Sequence, residues 1–385
     1  MHDMLPADGE LELLTRLRRD LHRIPELDTE LPKTISYIEA ELGAVRENLT
    51  ARFGEESCRI FSPCESALCM FFDRKSAHAT AVRTDMDALP VTERSNVEFA
   101  SQHEGRMHAC GHDGHMSMVL ALARHIADSF DELPRSILLV FQPAEETTGG
   151  ARFICESGVF EEYGVDRIFG FHLWPDLPQG VIASRPGGLL AAASESTFVF
   201  NGKAAHIAKA ADGADSLEAG ARFLLDAYAY MDERRAEEPC LLKCGVFRSG
   251  DVRNVISSHT RIEGSLRTFS DEMGARAKRD LADLAGTRAE EAGCSVDVHF
   301  ADGYPPVVND KELFALAGDA LPAMETLPEP LLIGEDFAFY QRHLPGVFML
   351  LGTGTGIPLH ADTFDFDESI LAAGLDAYKK LIRIP

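Results

Sequence analysis

Apolar positions at helix spacing open the chain: Leu14, Leu17, Leu21 and Ile24 fall on one stripe, and Pro25 stops it. Pro32 precedes a second stripe of Ile35, Ile38 and Leu42. The pattern then changes. LCMFF (68–72), TAVRTDM (80–86), SILLVFQ (136–142) and RIFGFHL (167–173) are short, mostly continuous apolar runs, as expected of strands covered on both faces. Between them Met116, Val119, Ala123 and Ile126 mark a helix. Strands alternating with helices predict an α/β fold, a central, mostly parallel sheet flanked by helices.

After SRPGG (184–188) the rhythm shifts. STFVFNG, a helix from about Ser216 to Arg235, strands near LLKCGVF and RIEGSLRTF, a helix from about Asp271 to Ala292, and SVDVHF follow in turn. The order strand, helix, two strands, helix, strand predicts a small ferredoxin-like α+β unit. It reads as an insertion, because after GYPPVVND the first style returns with VFMLLG (347–352) and a terminal helix from about Ser369 to Leu381. The expected division is 1–188 with 303–385 as one domain and 189–302 as the other. A chain of 385 residues supports that split, since single cores stop growing at roughly 250 to 300 residues.

Composition narrows the function. With 45% hydrophobic and 26% charged residues the chain is an ordinary globular one. Its formal charge of −25 is not ordinary. It argues against nucleic-acid binding, which needs clustered Lys and Arg, and leaves a small molecule as the expected partner. MHDMLPADGELELL has no basic start followed by an apolar run, and no apolar run elsewhere approaches the roughly 20 residues that span a bilayer. The expectation is a cytoplasmic protein with no membrane partner. Eight scattered cysteines do not form a secreted disulfide framework.

Polar residues collect behind the apolar strands. Asp85 and Asp87 follow TAVRT, Glu145 and Glu146 follow SILLVFQ, His172 lies in FGFHLWP, and His360 follows VFMLLG. In open α/β sheets, the carboxyl ends of the strands are where ligands bind. MHACGHDGHM (107–116) fits the same edge, with Cys110 and His112 in the loop before the Met116 helix. Cys110, His112, Glu146, His172 and His360 are ligand types that zinc-like ions accept, and five exceed the need of one tetrahedral catalytic ion, so two ions sharing a water fit better. Glu145 is then free to act as base and acid. Asp87 is expected to support the site from outside the ligand set, Asp85 to support it or serve structure alone, and His115 to support it by hydrogen bonding. A Cys110–His112 thiol nucleophile would leave Glu145, Glu146, His172 and His360 unexplained, and GTGTG (352–356) lacks the helix start of a phosphate loop.

RTDMDALP, MHACGHDGH, FQPAEE, FHLWP, GEDFAFY and LHADTFDFDE together resemble the N-acyl-amino-acid amidohydrolase branch of the aminoacylase and carboxypeptidase-like metallopeptidases. That branch includes hippurate hydrolases, auxin-conjugate hydrolases and N-acetyldiaminopimelate deacetylases. The resemblance runs from LHRIPEL to the last helix. It implies a metallopeptidase-type catalytic domain holding two divalent ions, zinc or manganese, through Cys110, His112, Glu146, His172 and His360. Glu145 falls on the base and Asp87 on an acidic residue that assists the centre. The inserted unit resembles a lid and dimerisation domain, which implies a homodimer, with His206 of GKAAH facing the substrate and Asn254 and Arg267 holding its carbonyl or carboxylate. The implied reaction is cleavage of an N-acyl amino acid; a dipeptidase or carboxypeptidase, and a non-hydrolytic binding protein, are the alternatives. Two departures touch the inserted unit: IAKAADGADS follows His206 where the family often has small residues and then a proline, and Ser257 follows NVI where proline is common.

Overall fold

The computed structural model describes residues 8–385; MHDMLPA, part of the stretch read for a leader, lies outside them. Two compact units emerge. One extends to Gly187 and resumes over Asn309–Pro328 and Phe339–Pro385; the other comprises Gly188–Val308 and Glu329–Ala338. Residues 303–308 and the short segment Glu329–Ala338 thus group with the second unit, whereas the expected division kept 303–385 in the first. In chain order the strands are β1 (Cys58–Phe61), β2 (Leu68–Phe72), β3 (Ala79–Asp85), β4 (Ser136–Gln142), β5 (Val165–Trp174), β6 (Ile182–Ser184), β7 (Gly187–Leu190), β8 (Ala192–Asn201), β9 (Cys240–Ser249), β10 (His259–Thr268), β11 (Ser295–Asp302), β12 (Val307–Asn309), β13 (Glu325–Thr326) and β14 (Gly346–Gly352).

In the first unit the order is β1-β2-β4-β3-β5-β14-β6-β13. β3 pairs parallel with β4 and β5, and β5 with β14; β1 with β2, β2 with β4 and β14 with β6 are antiparallel. The sheet is therefore mixed, with three parallel pairs at the centre and a fourth, β6 with β13, at one edge. β3, β4 and β14 are buried at every position, which is why their sequences run apolar without alternation. The helix His112–Asp128 packs on β3 and β5 and is itself covered by Asp8–His22, Pro32–Phe53 and Ile370–Leu381. Leu14, Leu17, Leu21, Ile38, Leu42, Met116, Val119 and Ile126 join one core from those helices. Ile24 falls beyond the end of the first helix.

The second unit has sheet order β11-β8-β10-β9, every pair antiparallel, with the helices Ser216–Arg234 and Asp271–Glu291 on one face. This is the ferredoxin-like arrangement. β8 alternates: Phe198 and Phe200 are buried against Phe223, while Thr197 and Val199 lie on the other face. Each helix starts on a cap that satisfies free backbone N–H groups: Asp215 accepts from Leu217 N and Glu218 N, and Ser270 from Met273 N. No described helix is long and apolar enough to cross a membrane.

Candidate metal centre

The central parallel strands β4, β3, β5 and β14 deliver the candidate residues to one edge. Asp85 ends β3 and Asp87 follows it; Glu145 and Glu146 follow β4; His172 lies two residues before the end of β5; His360 lies in the loop after β14. Cys110 comes in the turn before a helix that begins at His112 itself, so His112 is helical and not part of the preceding loop. Gly111 makes that abrupt start, at φ 86°, a conformation open to glycine at little cost.

The structure brings the five candidate ligands and Glu145 together. The donor atoms of Cys110, His112 and His172 lie within 4.8 Å of one another, as do those of Cys110, Glu146 and His360, and those of His112, Glu145 and Glu146. Cys110 belongs to two of these groups, with its Sγ 3.3 Å from His172 Nε2. His360 Nε2 is 3.3 Å from Glu146 Oε1.

Backbone groups orient the imidazoles. His112 Nδ1 is 2.7 Å from the Asp87 carbonyl and His172 Nδ1 is 2.7 Å from the Leu173 carbonyl, so each Nδ1–H donates and leaves Nε2 as the nitrogen that a cation would take. His115 differs. Leu173 N–H donates to its Nε2 at 2.9 Å, and its Nδ1–H donates to Asp85 Oδ1 at 2.7 Å, so it has no lone pair left for an ion. Asp85 also accepts from Arg83 Nη1 at 2.7 Å and is a support. Asp87 accepts from Glu145 N and Glu146 N, both at 3.0 Å, and so fixes the turn that aims the two glutamates. Ala144 (φ 56°) and His360 (φ 68°) are held in the left-handed region, strain of a kind that clusters where a site must be overdetermined.

The site is short of positive charge. Burial disfavours the His112 imidazolium, yet Asp85, Asp87 and Glu146 outweigh it and push the group up to about 9. Burial, with Glu146 and Glu145 beside it, holds the Cys110 thiol well above its usual range. His172, buried next to His115, drops to about 3. His112 Nε2 is buried without a hydrogen-bond partner and Glu146 Oε1 has only the long contact to His360, a costly state. Orphaned donor atoms aimed inward, a thiol and surplus carboxylates fit divalent cations.

Sequence reasoning passed over a second buried cluster. His22, which ends the first helix, has its Nδ1 2.8 Å from Asp113 Oδ2 and its Nε2 3.2 Å from Glu93 Oε1. Burial alone would lower its pKa; the bonds to Asp113 and Glu93 prevail and raise it to about 9. A group raised above its unfolded value of roughly 6.5 stabilises fully below that pH, and the contribution fades as pH climbs through the folded value. Urea unfolding should therefore show stability falling by up to about 3 kcal/mol between pH 6.5 and 9, and His22→Gln should flatten that slope. An equal slope in wild type and variant would contradict the assignment.

The second unit carries the other candidates. His206 pairs with Val255, and Ile207 N–H donates to the Asn254 carbonyl at 3.1 Å, so His206 and Asn254 share one loop cluster. Arg267 lies on β10 opposite Ala193, eight residues from His259, which pairs with Asn201 at the far end of β8. At about 3.3 Å per residue the two ends of that strand are separated by roughly 25 Å. Among the described residues Arg267 has no side-chain hydrogen bond or ion pair, and burial lowers its pKa. Ser257, at the position where proline is common, is buried in a hydroxyl ring: its Oγ is 3.1 Å from Ser216 Oγ and 2.8 Å from Ser249 Oγ, and Thr260 Oγ1 closes the ring at 3.0 and 2.6 Å.

Comparison with known proteins gives a consistent picture. The model of peptidase family M20/M25/M40 matches residues 81–384. An uncharacterized hydrolase of Staphylococcus epidermidis is 32% identical over 389 residues, covering 97% of this chain and 98% of the relative. The crystal structure of the Bacillus subtilis YXEP protein, described as a dinuclear metal binding peptidase from the M20 family, superposes with a TM-score of 0.83 at 29% identity, over 98% of this chain and 99% of that one. An aminobenzoyl-glutamate utilization protein from Klebsiella pneumoniae shares the fold, at a TM-score of 0.60 and 19% identity, over 99% of this chain and 98% of that one.

Proposed function

Because the chain belongs to peptidase family M20/M25/M40, and is a metal-dependent hydrolase on that footing, we propose that it cleaves the amide bond of N-acyl amino acids to a carboxylic acid and a free amino acid. The observation that carries this reading is the convergence of Cys110, His112, Glu146, His172 and His360 with Glu145 at one sheet edge. Those five residues would hold two divalent ions. When bound, such ions supply Lewis acidity, making a water more acidic and polarising the scissile carbonyl.

The chain's own residues do the rest. Glu145 takes the proton of the attacking water and returns it to the leaving nitrogen. Asp87, through the Glu145 and Glu146 amides, keeps that carboxylate from swinging away. His112 and His172 are pre-set in the tautomer a ligand needs. Arg267, a half-buried cation without a partner among the described residues, holds the substrate carboxylate against the acidic average of the chain. His206 and Asn254 stabilise the carbonyl oxygen as charge develops on it.

Arg267 stands near one end of the β8–β10 ladder, whereas His206 follows the other end of β8, a separation that suits a homodimer in which two chains complete each site. The open edge of β9 and the exposed Phe247 and Leu225 suit such pairing through the second unit. A hydrolysis panel of acetyl and benzoyl amino acids alongside dipeptides, with added zinc, manganese or cobalt, tests the substrate class. Turnover of the acyl amino acids is expected; a clear preference for dipeptides would return the dipeptidase reading, and tight binding without turnover a sensor.

A further inference from the structure

Arg18 lies in the first helix, far in sequence from every candidate ligand, yet it is 1% exposed and bonded at all three nitrogens. Its Nε donates to Asp113 Oδ2 at 3.2 Å, its Nη1 to the Phe366 carbonyl at 3.1 Å, and its Nη2 to Asp365 Oδ1 at 2.5 Å. Glu368 Oε1 lies 3.3 Å from Nη1, and the guanidinium carbon sits 3.8 Å over the Phe366 ring. These partners belong to two segments. Asp113 directly follows His112, and Asp365 to Glu368 follow His360 by five to eight residues.

The two segments touch once more, where His360 N–H donates to the Ala109 carbonyl at 2.8 Å, one residue before Cys110. His360 also occupies a left-handed conformation, at φ 68°, that its surroundings must enforce. One backbone bond is a hinge. A second tie on the other side converts it into a fixed spacing, and the planar fork of Arg18 is that tie. Lysine could keep the charge but not bond three directions in one plane.

We infer that Arg18 is a positioning residue for the metal centre: it clamps the Cys110–Asp113 turn to the segment after His360 and so sets the distance between the ligands those two segments carry. The inference rests on the metal reading above and goes beyond it, since Arg18 itself touches neither ion nor substrate. Its loss should act on metal affinity more than a general loss of stability would, by about 10- to 100-fold, as for other groups that orient ligands.

The test is zinc binding to protein stripped of metal, measured by competition with a chromophoric chelator, with thermal unfolding alongside. Arg18→Met should bind zinc about 10- to 100-fold more weakly than wild type, Arg18→Lys nearly as weakly, and Asp365→Asn, which removes the charge from one of the three partners toward the segment after His360 at a partly exposed residue, severalfold more weakly. Leu42→Ala, a core truncation in the second helix that removes none of the Arg18 bonds, should lose stability and keep wild-type affinity. Equal affinity in wild type, Arg18→Lys and Asp365→Asn would overturn the inference, as would a loss in Leu42→Ala matching that in Arg18→Met. Should Arg18→Met fail to fold, the other two variants decide. Failure of the wild type to bind zinc or manganese would instead strike the metal reading itself.

Discussion

Replacing Glu145 with Gln is expected to lower kcat on the best acyl amino acid by roughly 100- to 10,000-fold, the range a positioned general base contributes, while KM and bound metal stay near wild type. The glutamine is nearly isosteric, and the amide that Glu145 donates to Asp87 is a backbone group the substitution leaves in place. Only proton transfer is lost. Kinetics and elemental analysis on the same preparations check it: full activity with intact metal would remove Glu145 from the role, and loss of metal along with activity would make it a ligand.

Cys110→Ala should have the opposite signature. Its sulfur is within reach of both ligand groups, His112 with His172 and Glu146 with His360, so its removal should cost metal first and activity as a consequence, on the order of 1,000-fold or more if several kcal/mol of Lewis-acid stabilisation disappears. Alanine fills most of the cysteine's volume at a buried position, and the fold should survive. The two variants together separate proton transfer from metal binding. A Cys110→Ala protein that retained both ions would show that the thiol is only a neighbour.

The strands that matter most were the easiest to read. β3, β4, β5 and β14 are buried on both faces and so spell themselves as apolar runs, and a polar residue just past such a run stands out. The convergence of Asp87, Glu145, Glu146 and His172 follows from that edge. Strands of two to four residues, β1, β6, β7, β12 and β13, give too few positions for any period to show. The helix Lys311–Ala320 was overlooked although Asp310, whose side chain accepts from Leu313 N at 2.8 Å, is a readable cap. Arg18 and His22 were illegible for a different reason. They lie among the leucines that defined the first helix, and what makes them special is the carboxylates of Glu93, Asp113 and Asp365, 71 to 347 residues away, a relation no local pattern encodes. LHRIPEL carried the resemblance, but its chemistry could be seen only once Asp113 stood beside it.

The most direct measurement is an anomalous difference map, recorded at the metal absorption edge, from crystals of protein purified without chelators and supplied with zinc or manganese. Two peaks enclosed by Cys110, His112, Glu146, His172 and His360 are predicted. A map with no density among those side chains, or with its ions bound elsewhere, would contradict the account.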